Sequence, residues 1–192
     1  MTKREEQRQE RRQQILECSL DLIITRGYDA MKIRDIADQL GISIGLFFNY
    51  FESKESVYDE LIKIGLSGPQ GVLQFDSINS RPIEIFQQIT QTIFSNVQSN
   101  SFVAKMFILM AQSCKSETAP ASVKAMLADF DVYTPILPLI EIGQQMGEIK
   151  PGNPIALAIT YWGAIQGVAE NMAMQPDLPM PESDWVVDIL RA

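Results

Sequence analysis

The residue types of this 192-residue chain point to recognition rather than catalysis. There is no histidine, which removes Ser-His and Cys-His nucleophile pairs, His-zinc sites and the Glu-x-x-His di-iron bundle in one step. Carboxylate chemistry survives that test, but the nearest pair, Asp129 and Asp131, would point apart at i and i+2 on a helix. No catalytic residue, metal site or cofactor is expected. The stretch that could recognise something is "GISIGLFFNYF", Gly41–Phe51, which carries no charge and only Ser43, Asn49 and the Tyr50 hydroxyl as polar side-chain groups. Alone it is compatible with a buried strand, a core helix or a helix that docks on a partner. An outward asparagine can bond an adenine edge bidentately in the major groove, and apolar neighbours can meet thymine methyls.

Whether Asn49 points outward depends on the elements around it. Two short apolar-periodic segments, 33–40 and 44–51, are separated only by Gly41-Ile42-Ser43, the spacing of a helix-turn-helix. Ile33, Ile36, Ala37 and Leu40 recur at i, i+3, i+4 and i+7, with small Ala37 where two helices would cross. Gly41 suits a turn needing positive φ, and Ser43 suits an N-cap. With Phe47 at 0° and about 100° per residue, Phe51 and Ile44 fall inward at about 40° and 60°, while Gly45 and Asn49 fall outward at about 160° and 200°. Leu46 and Phe48 flank the outward strip, and Ile36, Leu40, Ile42 and Phe47 would close a small core. The same periodicity also fits a helical hairpin packed inside an ordinary bundle.

Over the whole chain the period is helical, and no stretch alternates cleanly enough for a strand. Helices are predicted at about 8–26, 33–40, 44–51, from Ser53 onward, and at roughly 82–98, 102–114, 120–147, 153–174 and 184–191. Ser53 should cap the fourth helix, and "GLSGPQG", 65–71, should break or kink it. Pro135 and Pro138 should kink or split 120–147. Asn153 before Pro154 reads as an N-cap with proline at the first helical position, and Ser183 reads as the last cap. The fold class is all-α, about nine helices in total.

At these residues the chain resembles a known family. "GYDAMKIRDIADQLGISIGLFFNYFESKESVYDELI", Gly27–Ile62, is similar to the N-terminal domain of TetR-like (tetracycline-repressor-like) transcription regulators, matching their pattern at Gly27, Tyr28, Ile33, Ile36, Ala37, Gly41, Ser43, Gly45, Tyr50, Phe51 and Lys54. The resemblance implies a helix-turn-helix DNA-binding domain over 1–53 and an effector-binding and dimerisation domain over 54–192. It implies a homodimer that binds a palindromic operator in double-stranded DNA and is released by a small, largely apolar effector. By position, Arg34 and Lys54 would contact phosphates. Ser43 and the Tyr50 hydroxyl would touch the backbone, and Ile44, Gly45, Leu46, Phe48 and Asn49 would face bases or sugar. Ile44 stands where the family commonly has Lys or another polar residue, Leu46 where it has a small or hydroxylic one, Phe48 where it has Tyr, and Lys32 where it has Thr. Fewer hydrogen bonds and more apolar contact follow, so a T-rich half-site is expected.

In the C-terminal two-thirds, Ala156, Thr160, Gly163 and Gly167 form a stripe of small residues at spacings 4, 3 and 4, a candidate dimer interface that could equally pack on a helix of the same chain. Phe102, Met106, Met110 and Tyr133 suit an adaptable apolar pocket, and Trp162 with Gln166 one turn on could add a stacking face and a hydrogen bond. At helical spacing the same residues also suit plain core.

The totals fit this frame. Residues 1–63 hold 10 Lys/Arg against 12 Asp/Glu, residues 64–192 hold 6 against 12, and the first 12 residues hold five bases against three acids. The overall charge of −8 thus lies mainly in the C-terminal part, and the N-terminus is a mild basic arm. Cys18 and Cys114 read as small core residues of a reducing compartment. The N-terminus lacks the apolar core of a signal peptide and the run 155–165 is too short to span a membrane, so a cytoplasmic location is expected. The competing functions are a protein-interaction module whose helix-turn-helix no longer binds DNA and a carboxylate-based helical enzyme.

Overall fold

The computed structural model describes residues 2–72 and 81–192, the side chains of 69–72 excepted. Among the described residues it is all-helical, with ten α-helices against the nine or so expected and no strand. The chain divides into two compact units: Met1–Gly65 with Ile108–Ala128, and Leu66–Phe107 with Asp129–Ala192.

The first unit is built on α1 (Lys3–Arg26), α2 (Ile33–Leu40), α3 (Ile44–Phe48), the greater part of α4 (Lys54–Val72), the end of α6 (Ser101–Lys115) and α7 (Ala121–Leu127). α1 starts five residues before the expected position because Thr2 and Glu5 form a reciprocal cap. Glu5 N–H donates to Thr2 Oγ1 at 3.3 Å, and Thr2 N–H donates to Glu5 Oε2 at 2.7 Å. Ile15, Leu16, Leu20, Leu22 and Ile23 then bury one stripe of α1. Ser53 caps α4 as expected, accepting from Ser56 N–H at 3.1 Å, and Val57, Tyr58, Leu61 and Ile62 form its buried face. α4 does not end at Gly65–Gly71 but runs through to Val72. Glycine lowers helix propensity without forbidding helix.

Cys18 is buried, as expected, with its thiol 2.9 Å from Gln39 Oε1; burial chiefly, and Asp21, push it up to about 11. Cys114 is exposed, which corrects its reading as a core residue. Its neighbour Ser113 is the inward residue of that turn, hydrogen-bonded to the Tyr58 hydroxyl at 2.8 Å and donating to Leu109 O at 2.6 Å.

The second unit holds α5 (Pro82–Ser99), α8 (Leu137–Gln145), α9 (Pro154–Met174) and α10 (Ser183–Val187), with α5 packed against α8, α9 and α10. The predicted helix over 120–147 is split into α7 and α8, with a single 3₁₀ turn at Thr134–Ile136 where the prolines fall. Asn153 caps α9 as expected, accepting from Ile155 and Ala156 N–H at 3.0 and 3.2 Å. α10 is shorter than predicted: Ser183 is its first residue and Glu182 stands at the N-cap without a side-chain bond. The core joins Phe86, Ile89 and Ile93 of α5 to Ile140 of α8 and to Tyr161, Ile165 and Ala169 of α9. Tyr161 is fully buried, and its hydroxyl is satisfied by Thr90 Oγ1 at 2.8 Å. A Cβ on Gly143 would lie 2.6 Å from Ile149 Cδ1, so only glycine lets α8 pass that side chain.

Candidate nucleic-acid interface

The helix-turn-helix forms for local reasons. Asp35 accepts from Lys32 N–H at 3.1 Å and so closes the start of α2. Gly41 ends α2 at φ +62°, ψ 35°, the left-handed conformation expected of it, and Ile42 N–H reaches back to Ala37 O at 3.0 Å. Ser43 Oγ then accepts from Leu46 N–H at 3.0 Å and fixes where α3 begins. α3 is shorter than the predicted 44–51: it ends at Phe48, and Asn49–Tyr50 form a turn that still closes through Phe51 N–H to Phe47 O at 3.1 Å.

Phe47 is fully buried and Phe51 nearly so, their rings 6.0 Å apart. The Arg12 guanidinium lies 4.5 Å over the Phe51 ring and forms a bidentate ion pair with Glu60. This clamp joins α1, the end of the helix-turn-helix and α4, and it escapes a reading by periodicity because its three residues lie far apart in sequence.

The outward strip is as expected for Gly45 and Asn49, both exposed. A Cβ on Gly45 would meet nothing closer than Ser43 Oγ at 3.9 Å, and the Asn49 amide makes no hydrogen bond among the described residues. Ile44 corrects the helical-wheel reading: it is 46% exposed, not inward, because it is the first residue of a one-turn helix with no preceding turn to cover it. Phe48 is 49% exposed, its ring edge-on to Phe47 at 5.6 Å, and Leu46 is half-buried. Arg34 stands out from α2 and pairs with exposed Asp38 at 3.7 Å. Lys54 is the exception among the basic residues. Its ammonium donates to the carbonyls of Tyr28 and Met31 at 3.2 and 3.4 Å and sits 4.2 Å from the Tyr28 ring centre. Tyr28 in turn stacks on Tyr58 at 4.8 Å and donates to Glu55 Oε1 at 2.7 Å. That bond holds the Glu55 carboxyl below its usual range.

Residues 15–61, which span the helix-turn-helix and its ties to α4 but not Arg12, match the family described as bacterial regulatory proteins, tetR family. Over those residues the chain is similar to that family. Over 53 residues it is 42% identical to the HTH-type transcriptional repressor KstR2 of Rhodococcus jostii (strain RHA1), and equally to that of Mycobacterium tuberculosis (strain ATCC 25618 / H37Rv). The match takes in 28% of this chain and 26% of those relatives, so the chain spans about a quarter of the length of the curated relatives it matches. Solved structures extend the likeness of fold to nearly the whole chain. The ketosteroid transcriptional regulator KstR2 of M. tuberculosis superposes with a TM-score of 0.71 at 19% identity, covering 95% of each chain. The TetR family regulator PfmR of Thermus thermophilus does so with a TM-score of 0.61 at 20% identity, over 92% of this chain and 96% of its own.

The chain does not gather the six expected effector residues in one unit. Phe102, Met106, Tyr133, Trp162 and Gln166 lie in the second unit and Met110 in the first. Phe102, Met106 and Met110 are buried, whereas Tyr133, Trp162 and Gln166 are half-buried. The Gln166 amide already donates to Phe107 O at 3.0 Å and Glu170 Oε1 at 2.6 Å. The small-residue stripe of α9 is not covered by a helix of its own unit. Ala156, Thr160 and Gly163 are exposed and Gly167 half-buried, and a Cβ on either glycine would meet nothing within 4 Å. Ile155 and Ile159 beside it are also exposed, as is Trp185 of α10.

Proposed function

We propose that the chain is a DNA-binding transcriptional regulator, a homodimeric repressor that a small, largely apolar effector releases from a palindromic operator. The observation that carries this is the free outer strip of α3. Gly45 and Asn49 face outward with no partner among the described residues, on a helix whose start, core and end are each fixed by local contacts. In this reading Asn49 bonds an adenine edge, and Ile44, Leu46 and Phe48 meet thymine methyls and sugar. Arg34, Ser43, Tyr50 and the remaining donor of Lys54 hold phosphates that position the helix without reading sequence. The functional division falls at 53/54, with the effector and dimer functions in 54–192 and a cytoplasmic location.

Two copies would pair through the uncovered α9 stripe, where small residues let helices approach closely and Ile155, Ile159 and Trp185 supply apolar area. Pairing matters because one small domain with few phosphate contacts binds weakly, whereas a dimer engages two half-sites about one helical turn apart. The effector would be held in the second unit, by Phe102, Met106, Tyr133, Trp162 and Gln166. It can release DNA only as far as it prefers a conformation whose recognition helices no longer match successive major grooves.

A gel shift with the DNA upstream of the chain's own gene tests the reading. A discrete, competitor-resistant complex supports it, and binding indistinguishable from that to unrelated DNA sinks it. The half-exposed Ile44 and Phe48 favour one second reading, a helix-turn-helix that docks on protein instead; that outcome requires the same assay to give no complex.

A further inference from the structure

We infer that the N-terminal three turns of α1 form a second DNA-contacting element, whose Arg8, with Gln9 and the Tyr50 hydroxyl, seats a backbone phosphate beside the recognition helix. The inference rests on the DNA-binding reading above and assigns to it residues outside the helix-turn-helix.

The arginines of the first turns of α1 share a face. With about 100° per residue, Arg4, Arg8, Arg11 and Arg12 fall within an arc of about 100°, with Glu5 at its edge beside Arg12, whereas Glu6 and Glu10 lie on the opposite side together with Lys3. The stripe from Arg4 to Arg12 is about 12 Å long, comparable with three or four phosphates of one strand measured along the duplex axis. Residues 2–10 are all exposed, so this part of α1 contributes nothing to the core. Arg4, Arg8 and Arg12 also stand at i, i+4 and i+8, a like-charge spacing that destabilises an isolated helix. Such an arrangement is relieved by a polyanion along that face.

The stripe is not equally available throughout. Arg12 is spent on Glu60 and the Phe51 ring. Arg4, Arg8 and Arg11 have no ion pair or hydrogen bond among the described residues. Arg8 lines a cleft of about 240 Å³ together with Glu5, Gln9, Arg12 and Tyr50. Two features make that cleft a seat for an anion. The Glu5 carboxylate keeps its charge but is held at the α1 start by Thr2 N–H at 2.7 Å, and Glu60 neutralises Arg12, which leaves Arg8 as the cleft's guanidinium with no partner among the described residues. Tyr50 brings a hydroxyl with no partner among the described residues from the turn that immediately follows α3. A charged fork, a neutral amide and a hydroxyl thus converge next to the outward strip, and a phosphate accepts from all three. The anion is taken to be DNA backbone because the cleft adjoins the recognition helix and the free arginines continue along a line.

The test is the salt dependence of binding to a duplex that the wild-type chain selects from a random pool, between about 50 and 200 mM salt. Arg8→Gln should make the slope of log K against log salt shallower by about 0.9, and Arg4→Gln/Arg8→Gln/Arg11→Gln by about two to three. Tyr50→Phe, which removes a neutral donor, should weaken binding several-fold with the slope unchanged. Lys124→Gln, the same charge change on α7, should leave both alone. An Arg8→Gln protein that melts like wild type and keeps its slope and affinity would overturn the inference while the DNA-binding reading stands. A wild-type chain that retains no duplex from the pool would overturn that reading, and the inference with it.

Discussion

The Lys54 ammonium bonds the backbone carbonyl of Tyr28 at 3.2 Å and lies 4.2 Å from the centre of the same residue's ring. One side chain therefore holds both the polar and the aromatic part of the turn between α1 and α2 to the first residue of α4. Lys54→Ala should cost about 1 kcal/mol in denaturant unfolding, less than a buried charged hydrogen bond because the group is partly exposed. DNA affinity should fall with it, as the helix-turn-helix loses its tie to α4. A Lys54→Ala protein of unchanged stability would show that the residue serves DNA alone.

Asn49 gives the opposite signature. Its amide is exposed and makes no hydrogen bond among the described residues, so Asn49→Ala should leave the melting temperature unchanged. Binding should weaken by about 1–3 kcal/mol on the preferred site and lose discrimination at one base pair of each half-site. Titrating the variant against a set of single-base-pair changes reads both effects.

Gly45 separates folding from docking. A Cβ there meets only Ser43 Oγ at 3.9 Å, so Gly45→Ala should be tolerated and can gain about 0.5–1 kcal/mol of stability from the loss of glycine's freedom in the unfolded chain. The methyl nevertheless projects from the strip where a backbone would approach. Thermal melting should hold or rise while affinity for duplex DNA drops; affinity that is untouched argues against close approach at this point.

Glu55 predicts a pH dependence. The Tyr28 hydroxyl chiefly, and its own helix start, hold its folded pKa below the unfolded value. The stability this contributes is present above the unfolded carboxylate range and is lost as pH falls through the folded pKa. Glu55→Gln should therefore narrow the stability gap between neutral and acidic pH, seen as a smaller shift in denaturant midpoint. A variant whose midpoints track wild type at every pH would remove this group from the acid response.

Where local chemistry decides structure, the sequence was legible. Gly41, Ser43, Ser53 and Asn153 are in the turn or cap positions their side chains suggest, and Gly45 and Asn49 face outward as period and register require. Periodicity misleads where its assumption of a long helix fails. Ile44 opens a five-residue helix and is left uncovered, although an ideal wheel turns it inward. Long-range pairing was invisible. Arg12 with Glu60 and Phe51, and Tyr28 with Tyr58 and Glu55, join residues tens of positions apart, and neither pattern nor spacing marks them. Cys114 illustrates a third limit: two neighbouring small residues compete to face inward, and Ser113 does so because a buried tyrosine hydroxyl supplies its partner.

In the proposed function, α3 reads duplex DNA through Asn49 and its apolar flanks. Selection of binding sites from a random duplex pool, run in parallel with wild type and Asn49→Ala, probes that reading. Wild type should enrich a T-rich inverted repeat, and the variant should enrich the same repeat with one position per half-site relaxed. Enrichment of a G/C-only site, or of no site by the wild-type chain, would contradict it.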